Sequence, residues 1–181
     1  GCLMAIDELA RRRRFKRVLD MGCGSAILAI AALKCWPTAR AYACDLDADS
    51  VTAAAANARD NGVDHRLRTA VSDGYDRPEL QRTDRFDLVL ANILAGPLAE
   101  MAPDLAHTLA PGGHAVLAGL LNAQAHQVVA AHRRQGLVLE SRRDVGPWST
   151  LVFKQPVASR YRPRVRRPSP YPHERWPMPP D

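Results

Sequence analysis

The sequence predicts an α/β fold, built on a seven-stranded, mostly parallel sheet with helices on both faces and one reversed strand. Three observations carry it. Strand-like and helix-like patterns alternate through residues 1–154. The first strand pattern runs directly into a glycine turn that opens a helix. The last two strand patterns have no helix between them, so they can pair only as an antiparallel unit.

The elements follow in order. Residues 2–14 place Leu3, Ile6, Leu9 and Ala10 at helical spacing. Residues 17–21 form a short strand that ends in glycines. Residues 26–34 are helical, with Ile27, Ile30 and Ala31 on one face. Residues 39–44 form a second strand. Asp49 or Ser50 can cap the helix that runs to Asn61, Asp47 also serves its entry, and Gly62 ends it. Residues 65–70 are a weaker third strand. Residues 86–91 are a fourth, with the continuous apolar run expected of a strand buried on both faces. Pro97 opens a helix that runs to about Leu109. Pro111-Gly112-Gly113 is a turn before a fifth strand at 114–118. Asn122 caps a helix that ends near Gln135-Gly136. Residues 137–143 and 150–154 are the final strands. The result is a Rossmann-like arrangement, and the reversed strand is a feature of the S-adenosylmethionine (SAM)-dependent class I methyltransferase variant of it.

Composition agrees with one domain of about 150 residues and an extension. The chain has 181 residues, 46% of them hydrophobic, enough for a sizeable core. Abundant alanine favours helices packed closely on a sheet. No apolar run reaches the roughly 18 residues needed to span a bilayer, and the start lacks a basic secretory segment. A cytoplasmic protein is expected. Cys2, Cys23, Cys35 and Cys44 form no C-x-x-C pair and read as buried, reduced thiols. The histidines show no metal-ligand spacing.

The formal net charge is +6, of which residues 155–181 supply +4. That stretch holds eight prolines and six arginines in 27 residues and reads as a disordered, polyproline-like tail. Overall basicity is therefore weak evidence for a nucleic-acid enzyme. The run Arg11–Arg14 with Lys16 and Arg17 reads first as a solvated helix end complementing the helix dipole, and second as a weak contact to rRNA.

In open α/β sheets, ligands bind at the carboxyl ends of the strands where strand order reverses. Here the first strand ends in Asp20-Met21-Gly22-Cys23-Gly24-Ser25-Ala26. Gly22 and Gly24 permit a sharp turn and a close approach of ligand to backbone. The helix that follows presents free N–H groups suited to a carboxylate. A dinucleotide fingerprint would place Gly or Ala where this chain has the bulky Ile27. The Asp-x-Gly-x-Gly order instead resembles the SAM-binding loop of class I methyltransferases, with Ala26 where Gly is common. NAD-dependent oxidoreduction is the weaker alternative. Asp45, at the end of the second strand, can accept hydrogen bonds from both ribose hydroxyls. Ser72 and Asp73, after the third strand, would sit near the adenine. Asn92, at the end of the fourth strand, lies beside the expected sulfonium methyl. Its Oδ1 can accept amine hydrogens and aim the nitrogen lone pair for in-line transfer, and desolvation helps the amine lose its proton.

Four blocks carry a resemblance to a known family. The first runs Val18-Leu19-Asp20-Met21-Gly22-Cys23-Gly24-Ser25, followed by Ile27-Leu28-Ala29-Ile30-Ala31-Ala32-Leu33-Lys34. The second and most specific is Ala91-Asn92-Ile93-Leu94-Ala95-Gly96-Pro97-Leu98. The third joins Leu109-Ala110-Pro111-Gly112-Gly113 with Gly119-Leu120-Leu121 and Gln124, and the fourth is Trp148-Ser149-Thr150-Leu151-Val152. Together, over residues 1 to about 154, they resemble the bacterial ribosomal protein L-eleven methyltransferase family. The resemblance implies methyl transfer from SAM to lysine side-chain and N-terminal amines of a large-subunit ribosomal protein. It implies that Asn92 holds the acceptor amine, Asp45 the ribose, and Gly22 and Gly24 the methionine end of the cofactor. Family members also carry an N-terminal recognition domain and a Gly-Thr-Gly-type loop ahead of the helix that begins here at Gly1. On that ground the chain reads either as a fragment or as the product of a truncated gene model. Two other readings stand beside the enzyme: an inactive SAM-binding module, and a methyltransferase of RNA or a small molecule.

Overall fold

The computed structural model describes residues 1–81 and 86–157. The strands are β1 (Arg17–Met21), β2 (Arg40–Asp45), β3 (Leu67–Val71), β4 (Phe86–Asn92), β5 (Leu109–Leu121), β6 (Val138–Val145) and β7 (Trp148–Lys154). The helices are α1 (Cys2–Arg12), α2 (Ile27–Cys35), α3 (Ala48–Asp60), α4 (Ala95–Glu100), α5 (Ala102–Thr108) and α6 (Ala125–Arg134). The seven strands form one sheet in the order β3-β2-β1-β4-β5-β7-β6. All pairs through β5 are parallel, and β7 runs antiparallel to both β5 and β6. The single reversed strand is therefore β7. Chain progression moves outward from β1 to β3 and then restarts at β4, so the order reverses between β1 and β4.

Because side chains alternate along a strand, the sheet divides its apolar residues between two cores. Val18, Leu88, Leu90 and Val116 face α1, α2 and α3. Leu19, Val89, Ala91 and Leu117 face α4, α5 and α6. Small residues let the helices approach closely: Ala29, Ala32 and Ala54 have no exposed surface. At the end of the sheet away from the β-strand carboxyl termini, Trp36 is buried, edge-on to Phe15 at 4.9 Å, and its Nε1–H donates to Arg13 O at 3.1 Å. Burying an indole without that partner would cost stability.

Several sequence expectations are corrected in detail. The helix expected at 97–109 is two helices that begin at Ala95, broken at Met101. Pro103 has no N–H for the carbonyl of Ala99, so one continuous helix would lose that bond. The turn at Pro111-Gly112-Gly113, expected ahead of the fifth strand, lies inside it, since β5 already begins at Leu109. Phe86 pairs with Leu109 and Leu88 with His114, so the residues between loop out as a bulge within β5, with Gly112 at φ +78°. Asn122 does not cap α6. Its amide donates to Gly146 O and its Oδ1 accepts from Ser149 Oγ, tying β5 to the β6–β7 turn. Ile27 is not on the buried face of α2: it is 57% exposed, while Leu28, Ala29, Ile30, Ala32 and Leu33 are buried. Among the thiols, Cys2, Cys23 and Cys44 are buried, but Cys35 is exposed at the end of α2. The expected boundary at 155 lies at the edge of the described residues. Gln155 still pairs its backbone with Gly112 and Gly113 and is 2% exposed. Residues 158–181, which hold most of the expected tail, lie outside the described residues. No helix among the described residues is long and apolar enough to cross a membrane.

Candidate functional site at the strand carboxyl ends

The β1–β4 reversal brings the loop after β1 beside the ends of β2 and β4. Gly22 turns the chain at φ +66°, and Gly24 and Ala26 follow in the same left-handed region at +50° and +58°. The Gly22 and Cys23 N–H groups donate to Cys44 O at 2.8 and 3.0 Å, which anchors the turn on β2. Gly24 N–H donates to Asp45 Oδ2 at 2.8 Å. Asn57 of α3 donates through Nδ2 to Ser25 O at 2.9 Å. The turn is thus held from β2 and α3, and Gly24 faces open space, where an added Cβ would meet nothing within 4 Å. That space is what a ligand approaching the backbone needs.

Asp45 is half-buried at the end of β2. Its Oδ1 accepts from Asp47 N–H at 3.1 Å and its Oδ2 from Gly24 N–H. A carboxylate has about four lone-pair sites, so acceptor capacity remains for a diol. Asp47 supplies the cap of α3, and hydrogen bonds from the Ser50 hydroxyl and from the N–H groups of Ser50 and Asp49 hold its carboxyl below the usual range.

Asp20 lies behind the loop. It is 1% exposed, and Oδ2 accepts from the N–H of Ala29 at 2.8 Å, in the first turn of α2. Burial pushes its carboxyl up to about 7, against the Ala29 hydrogen bond, and the Asp45 charge adds to the rise. Asp20 fixes the strand–helix angle and touches the crevice only through the backbone it holds. The Cys23 side chain is also buried, and burial together with Asp20 and Asp45 pushes its thiol up to about 12. The contribution of Cys23 to the loop surface is its backbone.

Ser72 is buried after β3. Its N–H donates to Asp45 O and its Oγ to Gly74 O, both at 2.8 Å, so the hydroxyl shapes the turn. Asp73 is exposed beside it. Asn92 ends β4, paired with Ala118 of β5, with its side chain exposed. Gly22, Gly24, Asp45 and Asn92 therefore all lie at the carboxyl ends of the neighbouring strands β1, β2 and β4, and Ser72-Asp73 follow β3 on the same side. Sequence reasoning missed Ile93 as a site residue, although it lay inside the most specific block, because nothing in its type marks chemistry. An added Cβ on Gly22 would lie 2.3 Å from Ile93 Cγ2, so the two are in close contact. Position 27 also does not decide against a dinucleotide fingerprint. The small residue that packs against the strand is Ala26, fully buried, whereas Ile27 is exposed.

A separate surface groove of about 570 Å³ runs along α1 between Leu3, Met4 and Arg143. It is lined by the Arg11–Asp7 and Arg143–Glu8 ion pairs and holds none of the strand-end residues. Convergence of loop, carboxylate and amide favours the strand ends as the site.

Sheet order, the reversed β7 and the glycine turn define the class I methyltransferase architecture. An RNA methyltransferase from Salinibacter ruber, solved with S-adenosyl-L-homocysteine, shares the fold with a TM-score of 0.67 at 19% identity, over 90% of this chain and 94% of its own. The ribosomal protein L11 methylase of Lactobacillus delbrueckii subsp. bulgaricus matches with a TM-score of 0.72 at 30% identity, over 86% of this chain and 77% of its own. The sequence pattern described as ribosomal protein L11 methyltransferase matches residues 1–156. The ribosomal protein L11 methyltransferase of Bradyrhizobium diazoefficiens is 43% identical over 155 residues, covering 86% of this chain and 52% of the relative. That of Brucella suis is 40% identical over 154 residues, covering 85% and 54%. The chain belongs to the ribosomal protein L11 methyltransferase family, and it spans about half the length of the curated relatives it matches.

Proposed function

We propose that this chain binds SAM in the crevice at the ends of β1, β2 and β4 and transfers its methyl group to amines of ribosomal protein L11: lysine side chains and the N-terminus. The observation that carries the reading is the 2.8 Å hydrogen bond from Gly24 N–H to Asp45 Oδ2, which makes the glycine turn and the carboxylate one receptor surface. The cofactor would be held at its ribose by Asp45, at its methionine end by the Gly22–Gly24 backbone, and near its adenine by Asp73. When bound, it supplies an electrophilic methyl on sulfur. Asn92 would accept amine hydrogens and aim the nitrogen lone pair along the line of displacement, which is an alignment task more than a proton-transfer task. The family membership supports the acceptor class, and a cytoplasmic site of action goes with it.

A weaker part of the proposal is contact with rRNA through the Arg11–Arg14 run. All four arginines are exposed, with Arg11 paired to Asp7 at 2.7 Å and Arg14 donating to Ala10 O at 3.1 Å. They precede β1, so they lie at the end of that strand away from Gly22. Nucleic acid held there would leave the crevice open.

Titration calorimetry with SAM and S-adenosylhomocysteine, followed by transfer of a radiolabelled methyl to purified ribosomal protein L11, tests the proposal. Binding with transfer supports it. Binding without transfer supports a SAM-binding module that is not itself an enzyme, and absence of binding removes the methyltransferase reading of this chain.

A further inference from the structure

We propose that Ile93 is a positioning residue, whose branched side chain sets the spacing between the glycine turn after β1 and Asn92 at the end of β4. The inference rests on the methyl-transfer reading above. Two glycines, one in the turn after β1 and one in β5, make room for this one residue. Gly22, at φ +66°, would place a Cβ 2.3 Å from Ile93 Cγ2. Gly119, at φ +84° in β5, would place a Cβ 2.4 Å from Ile93 O and 2.8 Å from its C and N. The main chain of Ile93, from its N to its carbonyl oxygen, therefore lies close against Gly119 of β5, where no side chain can stand between them. On the other side, the Cγ2 methyl rests on the turn that carries Gly24.

Ile93, the first residue beyond β4, thus touches the turn after β1 with its side chain and β5 with its main chain. The methyl in contact sits directly on Cβ, and β-branched residues have a stiff χ1. Such a side chain is a spacer of fixed length. Leucine has the same number of carbons but no methyl on Cβ, so it cannot reproduce the contact. Valine keeps both γ-carbons and loses only the terminal methyl. Misplacing reacting groups by about 1 Å can cost on the order of 10²-fold in rate, so the spacing belongs to catalysis as well as to packing.

The test compares Ile93→Leu, Ile93→Ala and Ile93→Val with the unsubstituted chain. It measures kcat for methyl transfer from radiolabelled SAM to ribosomal protein L11, S-adenosylhomocysteine affinity by calorimetry, and thermal midpoints. The Leu and Ala variants are expected to lose about 10- to 100-fold in kcat while affinity stays within about threefold, and the Val variant to keep kcat within about threefold. Turnover of the Leu variant equal to that of the unsubstituted chain overturns the inference. So does a Val variant that falls as far as Leu, or losses that simply follow the thermal midpoint. An unsubstituted chain that binds no S-adenosylhomocysteine, or binds it and transfers nothing, instead overturns the reading beneath. The two failures are therefore distinct.

Discussion

The main-chain N–H of Gly24 donates to Asp45 Oδ2 at 2.8 Å, so the turn after β1 cannot be shaped independently of the carboxylate after β2. Removing that carboxylate takes away the proposed ribose acceptor and a strut of the loop together. Asp45→Ala is expected to weaken S-adenosylhomocysteine binding by about 1–3 kcal/mol. Asp45→Asn keeps one oxygen acceptor and should lose less. Calorimetry on both variants checks this, and unchanged affinity for Asp45→Ala would move the ribose elsewhere.

Asn92 occupies the other side of the crevice. It is exposed at the end of β4 and forms none of the contacts that hold the glycine turn. Asn92→Ala should therefore lower kcat by on the order of 10²-fold while leaving cofactor affinity within a factor of about three. Parallel binding and turnover measurements decide the point, since equal losses in both would make Asn92 structural.

Much of this architecture was legible in the sequence, because the signals are local. The continuous run Leu88-Val89-Leu90-Ala91 marks a strand buried on both faces, and all four residues are buried. Val18-Leu19-Asp20-Met21 followed by two glycines marks the turn. What stayed hidden depends on contacts between distant segments. Ala26 holds a left-handed φ in a turn that Asn57 of α3 ties down at Ser25, and no local window around Ala26 contains Asn57. Ile27 and Ile30 look alike in a periodicity count, yet one faces solvent and the other the core, because the helix entry sets the rotation of α2. Asn122 is a good cap by type, but Gly146 and Ser149, over 20 residues away, claim its side chain. The division of labour between Asp20 and Asp45 was equally invisible. Both are acids at strand ends, and only burial shows that one faces α2 and the other the crevice.

Gly119→Ala is expected to be far more damaging than most glycine substitutions. Its φ of +84° disfavours any side chain, and the added carbon would overlap the carbonyl oxygen of Ile93. Backbone strain alone costs about 1–3 kcal/mol, and displacing the β4 end adds to it. Chemical denaturation should show a loss of at least about 3 kcal/mol, or no cooperative fold. Gly24→Ala makes the contrast. It shares the left-handed φ but meets nothing within 4 Å, so its loss should be confined to about 1–2 kcal/mol of strain.

The exposed pair Arg12 and Arg13 gives a test of the rRNA contact that is independent of the crevice. Arg12→Glu with Arg13→Glu should weaken binding of a short labelled RNA. It should also flatten the dependence of log K on log salt by about 0.7–0.9 for each phosphate no longer neutralised. S-adenosylhomocysteine affinity should not change. Fluorescence anisotropy across a salt series reads the slope, and an unaltered slope would assign these arginines to solvent.

Asp20 contributes a pH dependence of its own to the stability of the fold. Its carboxyl is raised from 3.8 to about 7 by burial, so between these values the folded state keeps a proton that the unfolded chain has released. Stability from this group is full below about pH 4 and is lost as pH rises to about 7, after which it is constant. A difference of about three pKa units corresponds to about 4 kcal/mol. Asp20→Asn cannot titrate, and its Oδ1 can still accept from the N–H of Ala29. Denaturation midpoints for the two proteins, measured from pH 4 to pH 8, should diverge steadily, with the original chain falling relative to the variant until about pH 7 and running parallel above it. Parallel profiles throughout would mean that the Ala29 hydrogen bond outweighs burial and keeps Asp20 ionised across the range, and the charge beneath the glycine turn would then be permanent.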